Sequence, residues 1–482
     1  MGSARFILSA LIIVGVCGLR AAEVEPVRRP PPIMYRLPTP PTPAPPPAPP
    51  RAEPPTPALP VSASVPLTPP PTPAIPSHLS LNATTVGVIL PLSGTYASYG
   101  AHALVAVQMA LGLPVTQTVG TSVWTQAAGG VTLVVGDSKS NPQTAASLVQ
   151  EMAEKYGVMV VLGDILNDTG LAVSKKANEM GIPNVSLSRR AGLTNLGPFV
   201  FRLGLTTDKQ TKALVNKAVG ELGLKRIAIL YPEHAFGIEM KDSFMKEAKA
   251  KGAHVVTALS YPSTETNFGK LIAKLIGPQN YSACAKETKK ELEQCKSKIA
   301  PVLRFEALFI PDFQKTLSYI LPTLMTQDVL ISQNSRVVSG FQKSKSGSVP
   351  KPLQLLGPNS WKGPLLSERL GKQMEGALFV DGVDLSASNE LGSKWAAEYQ
   401  KLVSSPPSLV EAQAYDAALL MKAILFPTTG NGPKTRLDFM SRLASVKDVK
   451  GLTGTLSFDD ARESATPLKW FVFKEDQVEL LP

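Results

Sequence analysis

Val86-Gly87-Val88-Ile89-Leu90 runs without a polar residue into Pro91-Leu92-Ser93-Gly94, and an apolar stretch at helical spacing follows over residues 101–111. An uninterrupted apolar run bounded by turn residues reads as a buried strand. Proline ends it, and Ser93-Gly94 gives the backbone freedom to turn tightly and to approach a ligand. The unit then repeats. Residues 131–136 read as a strand, and 144–156 as a helix with Ala145, Leu148, Val149 and Met152 on one face and Gly157 as its stop. Strands at 158–162 and 184–187 flank a helix at 169–180. The rhythm continues through helix 208–220, strand 226–231, helix 238–250, strand 254–261 and helix 268–276, then strand 307–310, helix 313–325 and strand 353–356. Short strands alternating with helices predict an α/β protein with parallel sheets covered by helices, here two Rossmann-like lobes. Ligands of such sheets lie outside the carboxyl ends of the strands. Two stretches break the pattern. Residues 277–304 are charged and hold Cys284 and Cys295, and residues 333–350, rich in Ser, Lys and Gly, read as a mobile surface loop.

The folded body does not use the whole chain. Of 482 residues, 44 are proline, and 23 of these fall within residues 26–76. Proline fixes φ and removes a donor, so residues 22–80 read as a disordered tether that samples polyproline II. At ~3.1 Å per residue the proline-rich part reaches up to ~160 Å when extended. Residues 81–482 remain for the fold. A hydrophobic content of 44% excludes a polytopic membrane protein. The net charge of +11 is dispersed, and its densest cluster, 286–298, is interleaved with Glu287, Glu291 and Glu293. Without a basic stripe and stacking aromatics, no nucleic-acid partner is expected.

The N-terminus reads as an export signal. Arg5 precedes an apolar run over residues 6–16, too short to span ~30 Å of hydrocarbon but suited to a signal-peptide core. Residues 1–21 are the expected leader, which places the mature chain in the periplasm or cell envelope. Two cleavage modes stay open. One cuts after Leu19-Arg20-Ala21; the other treats Val14-Gly15-Val16-Cys17 as a lipobox and acylates Cys17, so that the membrane is touched only through a lipid anchor. Cys284 and Cys295 are the remaining cysteines. On a straight helix they would stand ~16 Å apart, so a disulfide requires a turn between them. The oxidising compartment favours that bridge, and two cysteines without nearby His do not make a zinc site.

Catalytic signatures are missing. No G-x-G-x-x-G follows a strand, and there is no G-x-x-x-x-G-K-[ST], H-E-x-x-H or G-x-S-x-G. Of the four histidines, His78 lies in the tether and His102, His234 and His254 are isolated. His234 follows a strand end and reads as a solvated loop residue near a cleft. No catalytic residue, metal or cofactor is expected.

Residues 86–100, VGVILPLSGTYASYG, resemble the opening of the leucine-binding-protein family, the type I periplasmic solute-binding proteins. Further segments keep that family's order: residues 160–169, Gly181-Ile182-Pro183-Asn184-Val185-Ser186, Phe201-Arg202, residues 226–237 (RIAILYPEHAFG), Gly357-Pro358-Asn359, residues 376–381 and residues 413–420 (QAYDAALL). The resemblance covers residues 84–475. It implies two lobes joined by three crossovers, lobe one from 84–203 and 381–456 and lobe two from 204–380 and 457–482, closing by a hinge on an amino-acid-like or related polar solute. It also implies an ABC permease as partner. Carried onto this chain, the ligand positions are Ser93 and Tyr99, Asn167 and Thr169, Ser188 and Arg190, with Phe236 as an aromatic wall. Arg190 is expected to pair with a carboxylate, whereas Asp164 and Asp168 would repel one. Asn359 stands where amino-acid binders carry the Glu that holds the ligand ammonium, and Asp312 is the nearest replacement for that charge. The same region resembles the lipoprotein activators of penicillin-binding proteins, which contact a cell-wall synthase. The tether and the altered pocket point to that branch; the preserved motif order points to solute capture, the preferred reading.

Overall fold

The structure, a computed structural model, describes residues 80–115, 123–279, 281–285, 287–345, 351–363 and 371–481, all within one unit of the chain. The leader, Cys17 and the proline tether expected from the sequence lie outside the described residues.

Among the described residues the first sheet has six strands: β1 (Thr85–Leu90), β2 (Val123–Ala128), β3 (Val131–Asp137), β4 (Val160–Leu162), β5 (Asn184–Ser186) and β6 (Val200–Arg202). Their order is β2-β3-β1-β4-β5-β6, parallel throughout except that β2 runs antiparallel to β3. Helices α1 (Ala97–Leu111), α2 (Pro142–Tyr156) and α3 (Asn167–Glu179) form the crossovers. Alternation along β1 divides its side chains. Val86, Val88 and Leu90 join the core that contains α1, while Ile89 joins the opposite core with α2 and α3. Gly87 also faces α2, where a Cβ would sit 2.8 Å from the Met152 sulfur. Helix α2 starts at Asn141, whose Oδ1 accepts from Thr144 N at 2.9 Å, and ends at Gly157 in the left-handed region.

The second sheet uses β7 (Arg226–Pro232), β8 (His254–Tyr261), β9 (Ala307–Phe309), β10 (Gln354–Gly357) and β11 (Leu378–Asp381). It is accompanied by α4 (Thr207–Val215), α5 (Ala235–Ala250), α6 (Gly269–Ile276), α7 (Lys289–Ser297), α8 (Gln314–Thr326) and α9 (Ser335–Ser344). The chain then returns to the first lobe for α10 (Glu390–Val403), α11 (Leu409–Leu425) and α12 (Arg436–Ser445) and a small ribbon of β12 (Val449–Lys450) and β13 (Thr455–Leu456). It ends in β14 (Lys469–Lys474) and β15 (Gln477–Leu481), which add antiparallel to β11. The order of the second sheet is β15-β14-β11-β10-β9-β7-β8. The two lobes are wound alike, since β3-β1-β4-β5-β6 and β8-β7-β9-β10-β11 follow one scheme. In each, the strand order reverses beside the first strand, at β1/β4 and β7/β9, and such switch points leave a crevice at the strand carboxyl ends.

Three chain crossings connect the lobes. β6 passes through residues 203–206 into α4, β11 leaves through Gly382 towards α10, and residues 464–468 lead into β14. The first and third pair with each other: Arg202 N donates to Arg462 O at 3.0 Å and Ser464 N to Arg202 O at 2.9 Å. Lys209, in the first turn of α4, ties on with its ammonium to Ser464 O at 2.7 Å and Thr466 O at 2.5 Å. Among the described residues no helix is long and apolar enough to cross a membrane.

Two sequence expectations meet the structure differently. Residues 333–350 are not simply a loop, because Ser335–Ser344 form α9. Asn334 Oδ1 accepts from the N–H groups of Arg336 and Val337, and this cap starts a helix in a composition that otherwise reads as coil. Cys284 and Cys295 are bridged, with Cα atoms 5.9 Å apart. A short 3₁₀ turn at Ser282–Cys284 precedes α7 and supplies the bend that a straight helix lacks. Helix α7 buries none of its residues, so the bridge, beside the Lys345 ammonium on Ser297 O, is a main tie of this excursion. Cys284→Ser with Cys295→Ser is therefore expected to speed amide exchange across residues 281–298 while leaving β7, β9 and β10 protected. Loss of protection throughout the second sheet would show that the bridge supports the lobe as a whole.

Candidate functional site

The carboxyl ends of strands from both sheets converge on a cavity of about 450 Å³. Lobe one contributes Ile165 after β4, Leu187 and Arg189 after β5, Leu205 in the first crossover, and residues 406–410 with Gln413 around the start of α11. Lobe two contributes Gln314 at the start of α8, Asn359, Lys362 and Gly363 after β10, and Asp381 at the end of β11. A groove of about 640 Å³ at the amino ends of β7, β9 and β10 is larger. It lies at the end of the sheet opposite to the one where these folds bind ligands.

Local chemistry fixes each wall. After β10 the chain packs Gly357 directly against the Trp361 indole, where any Cβ would overlap the ring at 2.0 Å. The indole is fully buried and donates to Ile310 O at 2.9 Å. This anchored turn presents Asn359 and Lys362 to the cleft. Asn359 N donates to Gln210 Oε1 at 2.9 Å, and Asn359 Oδ1 accepts from Arg189 Nη2 at 3.1 Å, a hydrogen bond that bridges the lobes. The Arg189 guanidinium also lies 5.2 Å from the centre of the Phe236 ring, close enough for a cation–π contact. Phe313 and His234 complete this aromatic group at 5.7 and 6.2 Å from Phe236. His234 starts α5, its Nδ1 accepting from Gly237 N at 3.1 Å. Burial pulls the Arg189 pKa down, partly offset by the charges of Glu239 and Asp381.

Lys362 donates to Asp381 Oδ2 at 2.9 Å and to Val383 O at 2.7 Å, and Gly382 N donates to Asp381 Oδ1 at 2.8 Å. Burial pushes the Asp381 carboxyl upward against the pull of Lys362. At the opposite wall Ser408 and Glu411 form a capping box at the start of α11, with Ser408 N 2.8 Å and Ser408 Oγ 2.5 Å from Glu411 Oε2. Gln413 donates to Leu203 O at 2.8 Å and ties α11 to the crossover.

Of the positions expected from the sequence, Asn359 lines the cavity and Phe236 borders it through Arg189. Ser188 and Asn167 shape the loop that carries Arg189. Ser188 Oγ stands 3.4 Å from Asn167 Oδ1 and accepts from Arg190 N at 3.2 Å. The arginine in the cavity is Arg189; Arg190 turns outward to pair with exposed Asp168 at 3.0 Å. Asp312 is no free counter-charge, because Tyr261 Oη and Phe313 N each donate to its carboxylate at 2.6 Å. Thr169 is buried beside the Asp164 carboxylate rather than in the cavity. Ser93 and Tyr99 are exposed and do not line it either; Ser93 N donates to Asp137 Oδ1, which organises the first turn. Arg189, Lys362, Asp381 and Gln314 escaped the sequence reading. Among the described residues no group of three or more His, Cys, Asp or Glu is arranged to hold a metal ion.

Comparison with known proteins bears on the fold. The family model described as periplasmic binding protein matches residues 83–277. No curated protein matches the chain in sequence. Among solved structures, a protein from Rhodospirillum rubrum assigned to a branched-chain amino acid ABC transporter is 21% identical, with 84% of this chain and all 100% of that chain covered at a TM-score of 0.62. The branched-chain amino acid transporter substrate-binding protein of Streptococcus pneumoniae, solved with isoleucine, is 17% identical, with 83% and 99% covered and a TM-score of 0.54. A solute-binding protein of an R. palustris ABC transporter, solved with benzoate, is 18% identical, with 83% and 96% covered and a TM-score of 0.53. The chain has the fold of the type I periplasmic binding proteins.

Proposed function

We propose that this chain is a solute-binding protein of the cell envelope, which captures a small polar solute between its lobes and hands it to an ABC-type permease. The observation that carries the reading is the position of the cavity. It lies at the strand carboxyl ends of two lobes wound alike, is lined by both, and is flanked by chain crossings at which a hinge can act. Solved relatives that hold isoleucine or benzoate support a solute of that size. Arg189, Asn359, Gln314 and Ser408 are the polar groups we assign to the solute, with Ser188 and Asn167 supporting the Arg189 loop. The role is binding without catalysis. Export, with residues 22–80 as a spacer and Cys17 as a lipid anchor, belongs to the same reading.

Native mass spectrometry of protein taken from its own envelope, under non-denaturing conditions, tests the proposal. A retained small molecule that is lost on unfolding, and that compacts the solute-free protein in solution scattering when added back, is the expected result. No retained mass and no compaction, together with capture of a cell-wall synthase, would replace solute capture by the activator role.

A further inference from the structure

We propose that the solute is a carboxylic acid without an α-ammonium group, carrying a compact apolar body and held through its carboxylate by Arg189. This inference rests on the solute-capture reading and narrows it. Among the described residues the charges that line the cavity are Arg189, Lys362 and Asp381. Two of the three are cations, and the one carboxylate is already committed, Oδ2 to Lys362 and Oδ1 to Gly382 N.

Two further carboxylates beside the cleft, those of Asp312 and Glu411, are committed as well. Asp312 is occupied by Tyr261 Oη and Phe313 N, and Glu411 by Ser408. Glu239, whose charge reaches Arg189, is exposed on α5, where water screens it. An incoming ammonium would have to compete with Lys362 for Asp381, separating a buried carboxylate from the cation that already neutralises it, and would also be repelled by Arg189.

Arg189 is in the opposite position. Among the described residues it makes no ion pair, and its hydrogen bond goes to a neutral amide oxygen, Asn359 Oδ1. A guanidinium offers five donors in a planar fork that matches a carboxylate, so the cation keeps free capacity aimed at the cleft. The rest of the wall is uncharged: Gln314, Ser408 and Gln413 are polar, and Ile165, Leu187, Leu205, Leu409, Val410 and Pro406 form its apolar part. The apolar part rewards burial of a branched or ring-shaped hydrocarbon, and the wall offers no free counter-charge to a second charge.

Matched probes isolate the ammonium. Solute-free full-length chain is titrated calorimetrically with leucine, 4-methylpentanoate and 3-methylbutylamine, and with phenylalanine, 3-phenylpropanoate and 2-phenylethylamine. At least one acid is expected to bind about tenfold or more tighter than its amino acid, with the amines silent. Arg189→Gln should weaken that acid roughly ten- to a hundredfold, and Arg190→Gln should leave it unchanged. An amino acid that binds as well as its acid, or an Arg189→Gln variant that keeps full affinity, overturns the inference while solute capture stands. If no probe binds, the molecule retained in native mass spectrometry decides. An acid without an amino group supports the proposal, any other retained molecule overturns it alone, and no retained molecule overturns it together with solute capture.

Discussion

Arg202→Met is expected to destabilise the folded chain by roughly 3 kcal/mol. Arg202 ends β6 at the first crossover, with its side chain 5% exposed. Its guanidinium is bidentate to Glu463 of the third crossover, at 2.6 Å from Nε and 2.7 Å from Nη2, and Nη1 donates to Arg190 O. Methionine fills much of the same space but leaves Glu463 with the Thr194 hydroxyl, at 2.8 Å, as its remaining side-chain partner. Removing one member of a buried pair costs more than the pair is worth, because the surviving charge stays desolvated. Glu463 keeps 23% of its side-chain surface exposed, which places the loss at the lower end of the range for buried pairs. The double variant Arg202→Met with Glu463→Leu should recover most of it. Denaturant midpoints of the four members of this cycle provide the measurement. A single-variant loss under about 1 kcal/mol, or a double variant no better than the single, would show that the backbone pairing alone holds these crossovers.

The fold was legible because its signal is repetitive. Short apolar strands such as Val160–Leu162 and Ala307–Phe309 sit between helices of ordinary length, and parallel sheets covered on both faces need that pattern. The edge strand Val123–Ala128 and helix Ser335–Ser344 were not legible. The first is half exposed with a polar interruption, and the second is announced by one capping asparagine within Ser, Lys and Gly. In the site, Asn359 was reached through the resemblance of Gly357-Pro358-Asn359 to the family's turn after a strand, and that turn does face the cavity. The choice between Arg189 and Arg190 was not legible. Both follow the same strand end, and only the fold turns one to Asn359 and the other to Asp168. Asp312 misled for a related reason. Its chemistry suits an ammonium, but Tyr261, 51 positions earlier in the chain, reaches it first. Lys362 and Asp381 gain meaning only when the ends of β10 and β11 lie side by side.

Asp416→Asn is expected to remove a pH dependence that the parent chain shows between about pH 4 and pH 6. Asp416 projects from α11 into the loop before β13, where Oδ1 accepts from Leu452 N at 2.6 Å and Oδ2 from Thr453 N at 2.9 Å and Thr453 Oγ1 at 2.6 Å. The loop closes so tightly that a Cβ on Gly451 would sit 2.3 Å from Oδ1. The three donors favour the carboxylate, but burial disfavours it more, and the carboxyl is pushed up to about 6. The sign follows from proton counting. Across this window the unfolded chain has released the proton while the folded chain still holds it, so folding stability falls as pH rises, by about 3 kcal/mol in total, and then levels off. Other carboxylates act in the opposite sense: Glu306 is held low by the Lys225 backbone N–H and Asp438 by Arg442, so they add stability as pH rises through the acid range. Comparing parent and Asn variant cancels those contributions. Denaturant stabilities measured from pH 4 to pH 7 should show the parent losing ground to the variant as pH rises, by the full amount near neutrality. Parallel curves would mean that the hydrogen bonds to Leu452 and Thr453 outweigh burial and keep Asp416 ionised throughout, in which case the fixed charge, rather than a titrating one, holds the loop against α11.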